Sequence, residues 1–170
     1  ELSAGIFREI REALEARNAT KGWSFLEEEL KYILNEKVLE AGIDLLFHAY
    51  LSKAERHFDK ITSVTVATKS GEERIEADYF IDATGDAQLA YLAGCETVLG
   101  REPDHLCQPM TLFFRVGNVD VERFMASREK WKNAHAKSLA AGEFINPRED
   151  ILVIITPIPN VLNFNTTRVV

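Results

Sequence analysis

The sequence predicts an α/β fold (α+β overall), in which helices and strands alternate in a first part and strands dominate a second part. Apolar residues recur every three or four positions in residues 6–14 and again in residues 26–38, which indicates two amphipathic helices. Runs rich in β-branched and aromatic residues follow between residues 43 and 83 and again after residue 110. The chain therefore divides into residues 1–100 and 101–170, with a boundary near Leu99–His105, where Gly100, Pro103 and charged residues gather.

The first predicted helix spans residues 3–17, and the stretch "NATKGW" ends it. The second helix begins at Ser24-Phe-Leu-Glu27, a pattern typical of a capping box, in which the hydroxyl and the carboxylate satisfy free N–H groups. Gly42 lies where a left-handed C-terminal cap is expected. Both helices are thus predicted from local patterns alone.

A helix, a glycine and an apolar run in that order are typical of the αβ half of a βαβ unit, so residues 43–51 are predicted to be a strand of a parallel sheet. A β-meander should follow, with residues 61–68, a hairpin turn at 69–72 and a return at 74–77. Residues 79–83 are apolar enough for a strand buried on both faces. Asp86 is expected to cap a short helix over residues 87–93.

The second part opens with a predicted strand in "PMTLFFRVGNV" and continues with a helix over residues 121–141, which Gly142 ends. The closing stretch "ILVIITPIPNVLNFNTTRVV" predicts two antiparallel strands around a turn at Pro157–Asn160. Two strands need further partners, and the strand at residues 110–117 is the candidate.

Composition limits the classes of function. Hydrophobic residues make up 46% of the 170 residues, so a sizeable core can form. The net charge of −7 argues against a nucleic-acid or anionic-membrane partner. No apolar window is long enough for a transmembrane helix, and Cys95 and Cys107 match no metal-binding spacing. We expect a cytoplasmic protein that acts on a small molecule, with no metal site.

The stretch "YFIDATGDAQLAYLAG" holds the most informative pattern. A buried strand is predicted to end in small residues and a glycine, with Asp82 and Asp86 on either side, and a helix follows at once. In an open α/β sheet, ligands bind beyond the carboxyl ends of the strands, and a bend without bulky side chains lets a flat ligand touch the main chain. The alternative is that Gly85 serves a tight turn and Asp86 only caps the helix.

The stretch "ITSVTVATKSGEERIEADYFIDATGDAQLAYLAG" resembles the FAD-dependent oxidoreductases of the glutathione-reductase-like superfamily, which have two dinucleotide-binding domains. The segments "DATGDAQLAYLAGC" and "QPMTLFFRVGNVD" are similar to a bacterial group related to the flavoproteins of fumarate reductase and succinate dehydrogenase. The resemblance covers about residues 24–170. It implies a partial FAD-binding, Rossmann-like three-layer domain with a β-meander, followed by part of a β-rich substrate or cap domain.

The resemblance also implies roles for individual positions. The strand after the second helix passes the adenine, which maps to Ala49, Tyr50 and Leu51. The Ala-Thr-Gly element lies by the central region of the dinucleotide, which maps to Ala83, Thr84 and Gly85, with Asp86 beside them.

Other parts of the family's pattern are missing from this chain. No two of the nine glycines have the G-x-G spacing of a pyrophosphate-binding turn. The chain starts without Met inside a helical pattern and ends inside a strand-like pattern, so we expect an internal piece of a flavoenzyme that retains FAD weakly or not at all.

Two other classes of function stay open. Asp82 and Asp86, four residues apart, would suit Mg²⁺ in phosphoryl transfer, although no D-x-D pattern is present. A non-catalytic interaction or scaffold fragment is the third class. Arg115, amid apolar neighbours, is predicted to face either solvent at a strand edge or a carboxylate or anionic ligand, and Arg168 has the same ambiguity. Further polar residues are candidates for a substrate face or for ordinary packing: His105, Cys107, Gln108, Thr111 and Asn165. The other histidines, His48 near the proposed adenine edge, His57 and His135, are expected to be packed or at the surface.

Overall fold

The computed structural model describes residues 3–146, 148 and 150–169, and these residues mix helices and strands as predicted. Two compact units are present, one made of Glu1–Ile43 with Gln108–Val170 and the other of Asp44–Cys107. The change of unit at Gln108 lies close to the predicted boundary, but the N-terminal helices group with the second half of the chain. The assignment of separate functions to residues 1–100 and 101–170 stays a prediction. No helix within the described residues has the length and apolar character that crossing a membrane requires.

The first unit begins with two helices that pack around a small apolar core. Helix α1 spans Ile6–Ala16 and helix α2 spans Glu27–Glu40, and a two-stranded hairpin, β1 (Thr20–Lys21) with β2 (Ser24–Phe25), connects them. Both helices are formed as predicted, and part of their periodic apolar residues pack between them, while Ile6, Phe7 and Leu34 stay exposed. The core comprises the buried Leu14, Ala19 and Ile33, against which Ile10, Ala13, Leu26 and Leu30 pack.

The predicted capping box at Ser24–Glu27 is wrong. Ser24 lies in β2 and pairs with Lys21, and Leu26 takes the position before α2 without any side-chain cap. The Leu26 N–H donates to the Ala19 carbonyl oxygen at 2.8 Å, so the hairpin fixes how the chain enters the helix. At the other end Gly42 has φ +68° and its N–H donates to the Leu39 carbonyl, which confirms the predicted glycine cap.

The rest of the first unit is a three-stranded antiparallel sheet, with two helices between its first and second strands in the sequence. The strands are β6 (Phe114–Val116), β7 (Leu152–Ile155) and β8 (Leu162–Asn165), in the order β6-β8-β7. The two C-terminal strands pair with each other, and β8 pairs with the strand near residue 115, which confirms the predicted partner. The predicted helix 121–141 is split at Ser127 into α4 (Val121–Ala126) and α5 (Arg128–Ala140).

The second unit contains the two predicted strands of the meander, which are joined by an antiparallel strand, β3, that the sequence analysis did not place there. Strands β3 (Tyr50–His57), β4 (Lys60–Thr68) and β5 (Gly71–Glu76) pair in sequence order, and all pairs are antiparallel. The buried Ser63 hydroxyl donates to the Glu55 carboxylate at 2.7 Å, and Arg74 donates to the same carboxylate oxygen at 3.0 Å. A five-residue helix, α3 (Gln88–Leu92), packs against β3.

Two predicted strands are not formed. Residues 43–49 have no regular structure, and the strand begins only at Tyr50. Residues 79–83 are not a strand either, and Tyr79 and Ile81 are about nine-tenths exposed. An apolar run becomes a strand only where a neighbouring backbone offers hydrogen bonds. Every strand pair within the described residues is antiparallel, so neither run has a parallel partner there.

An ion pair joins α2 to the sheet of the first unit. Arg115 Nη1 donates to Glu27 Oε1 at 2.5 Å, and this bond is the main reason why the pKa of Glu27 falls to about 2. Arg115 was predicted to face solvent, a carboxylate or an anionic ligand, and it faces a carboxylate of the chain itself.

This ion pair should make the free energy of unfolding depend on pH in acid. Because the folded-state pKa of Glu27 lies below its ordinary value of 4.5, the stabilisation is complete above that value and is lost as the pH falls toward about 2. Both side chains are more than 40% exposed, so solvent screening limits the effect to about 1 kcal/mol or less. Urea unfolding of the wild type and of Glu27→Gln at pH 7 and pH 3 measures it.

The Glu27→Gln variant should lose less stability between the two pH values than the wild type does. Glu28→Gln is the matched control, because Glu28 pairs with the exposed Lys31 instead. Equal pH dependence in Glu27→Gln and the wild type would contradict the assigned role of the pair.

Candidate functional site

The bend between residues 82 and 88 is held by one carboxylate. Asp82 Oδ1 accepts hydrogen bonds from the Thr84 hydroxyl at 2.7 Å and from the Thr84 N–H at 3.0 Å. Asp82 Oδ2 accepts from the Ala90 N–H at 3.0 Å, which ties the bend to α3. These bonds, first the one from the Thr84 hydroxyl, hold the pKa of Asp82 below its ordinary value. The Thr84 hydroxyl in turn accepts from the Gln88 N–H at 2.9 Å.

The predicted cap of α3 by Asp86 is therefore wrong. Asp82 and Thr84 accept from the N–H groups of the first turn, and Ala87, with φ +53°, stands directly before the helix. The backbone turns so sharply at Gly85 that the carboxylate before the bend, rather than the one after it, reaches the helix N–H groups. Both oxygens of Asp82 are engaged in this way, which does not favour the alternative in which Asp82 and Asp86 hold Mg²⁺.

Gly85 leaves the outer side of the bend open. Its φ of +84° lies in the region that side-chain-bearing residues rarely adopt, so the turn requires glycine. A Cβ built on Gly85 meets no heavy atom within 4 Å, and residues 81–87 are all exposed. The main chain at Ala83, Thr84 and Gly85 is accessible to a ligand. No side chain of the described residues covers the bend.

A side-chain bond links the two predicted groups of cofactor-binding residues. Gln88 Nε2 donates to the Leu51 carbonyl oxygen at 2.8 Å, across 37 positions of sequence. Leu51 lies on β3 next to the half-exposed Tyr50, while Ala49 directly precedes the strand. The structure thus places Ala49–Leu51 and Ala83–Asp86 in one unit, joined at Leu51. Sequence analysis missed Gln88, for which the available indication was its place at the start of the helix after the Ala-Thr-Gly element.

Several other candidate residues have structural roles or lie elsewhere. The Thr111 hydroxyl donates to the Thr167 carbonyl, and Asn165 Oδ1 is buried without a hydrogen-bond partner among the described residues. Both belong to the unit that does not contain the bend. His105 lies in a loop where its N–H donates to the Arg101 carbonyl, and Cys107 is exposed. None of these residues joins the group around Gly85.

The role of Asp82 can be tested by exchange of backbone N–H groups with deuterium. In Asp82→Asn, the acceptor for the Thr84 and Ala90 N–H groups weakens, and one oxygen is replaced by a donor. We expect severalfold faster exchange at Thr84 and Ala90, measured by NMR, with the meander unaffected. Asp86→Asn is the matched control and should leave these rates unchanged. Faster exchange in the Asp86 variant alone would show that Asp86, and not Asp82, caps α3.

A comparison with protein families connects this geometry to a known class of enzyme. The model of the family "FAD dependent oxidoreductase" matches residues 1–168, nearly the whole chain. No curated protein and no solved structure matches the chain. The family's cofactor is FAD, in agreement with the cofactor predicted from the sequence. The chain belongs to the FAD-dependent oxidoreductase family.

Proposed function

We propose that the chain supplies main-chain surface against which FAD lies in a flavin-dependent oxidoreductase. Ala49, Tyr50 and Leu51 form one edge of that surface, and Ala83–Asp86 form the other. The observation that carries the proposal is the open bend at Gly85, which Gln88 ties to Leu51. The family match over residues 1–168 supports the same cofactor.

The bend offers main chain that a flat group can approach closely, whereas the sequence holds no glycine-rich turn for a pyrophosphate. Exposed backbone without a side chain at Gly85 allows close approach, as a planar ring requires. Phosphates are usually bound by a glycine-rich turn at a helix N-terminus, and no two glycines of this chain have G-x-G spacing. The missing turn supports the proposal that the 170 residues are one part of a longer flavoprotein.

The residues around the bend would bind and orient the cofactor rather than react. When bound, FAD supplies hydride or electron transfer to or from a small-molecule substrate. Asp82 and Thr84 hold the bend in shape, Gly85 keeps its outer side free, and Gln88 fixes the bend to β3. The resemblance of "DATGDAQLAYLAGC" and "QPMTLFFRVGNVD" supports a place in the group related to fumarate reductase and succinate dehydrogenase flavoproteins.

The missing phosphate-binding turn predicts weak flavin retention. The purified 170-residue chain should show less than stoichiometric absorbance at the flavin maxima in the visible spectrum. Stoichiometric yellow protein would contradict this prediction, since the chain would then have to bind the phosphates by another element.

A leucine at Gly85 should weaken flavin binding by tenfold or more, because its side chain would occupy the open side of the bend. Titration with FAD, followed by quenching of flavin fluorescence, measures the affinity. Gly94→Leu is the matched control: Gly94 follows α3, has φ +73°, and likewise has no heavy atom near a built Cβ. Both variants therefore strain the backbone similarly, and thermal melting should show similar destabilisation.

Only the Gly85 variant should lose affinity for FAD. Equal affinity in the two variants, whether unchanged or reduced, would remove the bend from the binding surface. A longer protein that also lacks a phosphate-binding turn would favour the alternative of a non-catalytic interaction or scaffold fragment.

A further inference from the structure

A second concave site lies in the first unit, away from the proposed cofactor surface. It is a cleft of about 420 Å³ between the β1–β2 hairpin with the start of α2 on one side and the sheet β6-β8-β7 on the other. All of its lining residues belong to a single compact unit. A cleft of this size accommodates a small organic molecule.

The strand register sets the polar side of the cleft. Arg115 on β6 is directly opposite Asn163 on β8, and Asn163 is directly opposite Ile154 on β7. Residues opposite each other in an antiparallel sheet present their side chains on the same face, so these three form a row across the cleft. The hairpin adds exposed aromatic side chains at Trp23 and Phe25, and the chain before β6 adds Phe113.

The cleft is electrically balanced. Among the described residues that line it, the charged ones are Glu27 and Arg115, and they pair with each other at 2.5 Å. An anionic ligand would be attracted by Arg115 but repelled by Glu27. A cationic ligand would be attracted by Glu27 but repelled by Arg115. A neutral ligand avoids both costs.

Hydrogen-bonding capacity is left over on the sheet side. A guanidinium carries five N–H donors, and within the described part of the chain the Arg115 side chain donates only to Glu27. The Asn163 amide makes no side-chain hydrogen bond within that same part. A carbonyl acceptor and an amide donor on a ligand would match these two groups, and a flat ring would match the aromatic walls.

We propose that this cleft binds a neutral, planar small molecule of the aromatic amide class, whose carbonyl accepts from Arg115 and whose N–H donates to Asn163. The ring of the ligand lies among Trp23, Phe25 and Phe113. This site is independent of the flavin assignment, because it uses no residue of the bend.

Benzamide and benzoate test the proposal, since they share one shape and differ in charge. Titration of the isotopically labelled 170-residue chain, followed by NMR, should show saturable binding of benzamide with a Kd of about 1 mM, a value typical of so small a ligand. Benzoate should bind at least fivefold more weakly. The shifted signals should include the Trp23 indole N–H and the Asn163 side-chain amide.

The Glu27→Gln variant should reverse the preference. It leaves the Arg115 charge without its partner, so benzoate should now bind at least as tightly as benzamide. Glu40→Gln, at the far end of the same helix and outside the cleft, should keep the wild-type preference. Circular dichroism verifies that each variant is folded, and the comparison in the wild type stands without any variant.

Four results would each overturn the proposal. The first is the absence of saturable benzamide binding to the wild type. The second is benzoate binding as tightly as benzamide to the wild type, which would indicate an anion site. The third is binding whose shifted signals lie outside the cleft. The fourth is a folded Glu27→Gln variant with an unchanged preference.

Discussion

The candidate site depends on how the Asp82 carboxylate is used. Its two oxygens accept from one hydroxyl and two backbone N–H groups, and these bonds bring the end of an irregular segment against the first turn of α3. The chain must reverse within a few residues to reach that geometry, and the reversal requires the left-handed backbone of Gly85. The open main chain around Gly85 is thus a consequence of the hydrogen bonds made by Asp82. The Asp82 charge is satisfied by these internal hydrogen bonds, so the groups that the bend exposes are its main chain and the Asp86 carboxylate.

The first unit depends in a comparable way on a contact between distant segments. Glu27 is the first residue of α2 and Arg115 lies on β6, 88 positions away, so their ion pair fixes the helix start against the sheet. Burial of the small core around Ile33 holds the two helices together. The ion pair fixes the orientation of α2 on the sheet but adds little stability, since both charges are well exposed. The cleft lies between the hairpin and the sheet, and aromatic side chains line its border.

Local patterns predicted much of the fold. The helices α1 and α2, the meander and the strands around residue 157 follow from periodicity, glycine caps and turn residues, which act over a few positions. The failures involve longer distances. Residues 43–49 and 79–83 have the composition of buried strands, but composition does not tell whether a partner strand is present to pair with them. At Ser24 the capping pattern was real, yet pairing with Lys21 in a hairpin used the same residue differently.

For the candidate site, the family resemblance indicated the two segments Ala49–Leu51 and Ala83–Asp86. The structure showed the hydrogen bond by which Gln88, just after the second segment, contacts the first. The bond from Gln88 to the Leu51 carbonyl crosses 37 positions, and no spacing rule specifies such a contact. The role of Asp82 was equally hidden, because it lies six positions before α3, farther than a capping residue normally lies, and only the fold of the bend brings its carboxylate to the Ala90 N–H.

The pairing of Arg115 with Asn163 has a consequence for how the cleft can change over time. Side chains on a strand alternate between the two faces, so a shift of β6 by one position along β8 would turn Arg115 away from Asn163 and present a neighbour of Arg115 instead. Point substitutions can change the chemistry of this cleft gradually. A single-residue insertion that shifts the register between β6 and β8 would replace the lining residue on the shifted strand in one step.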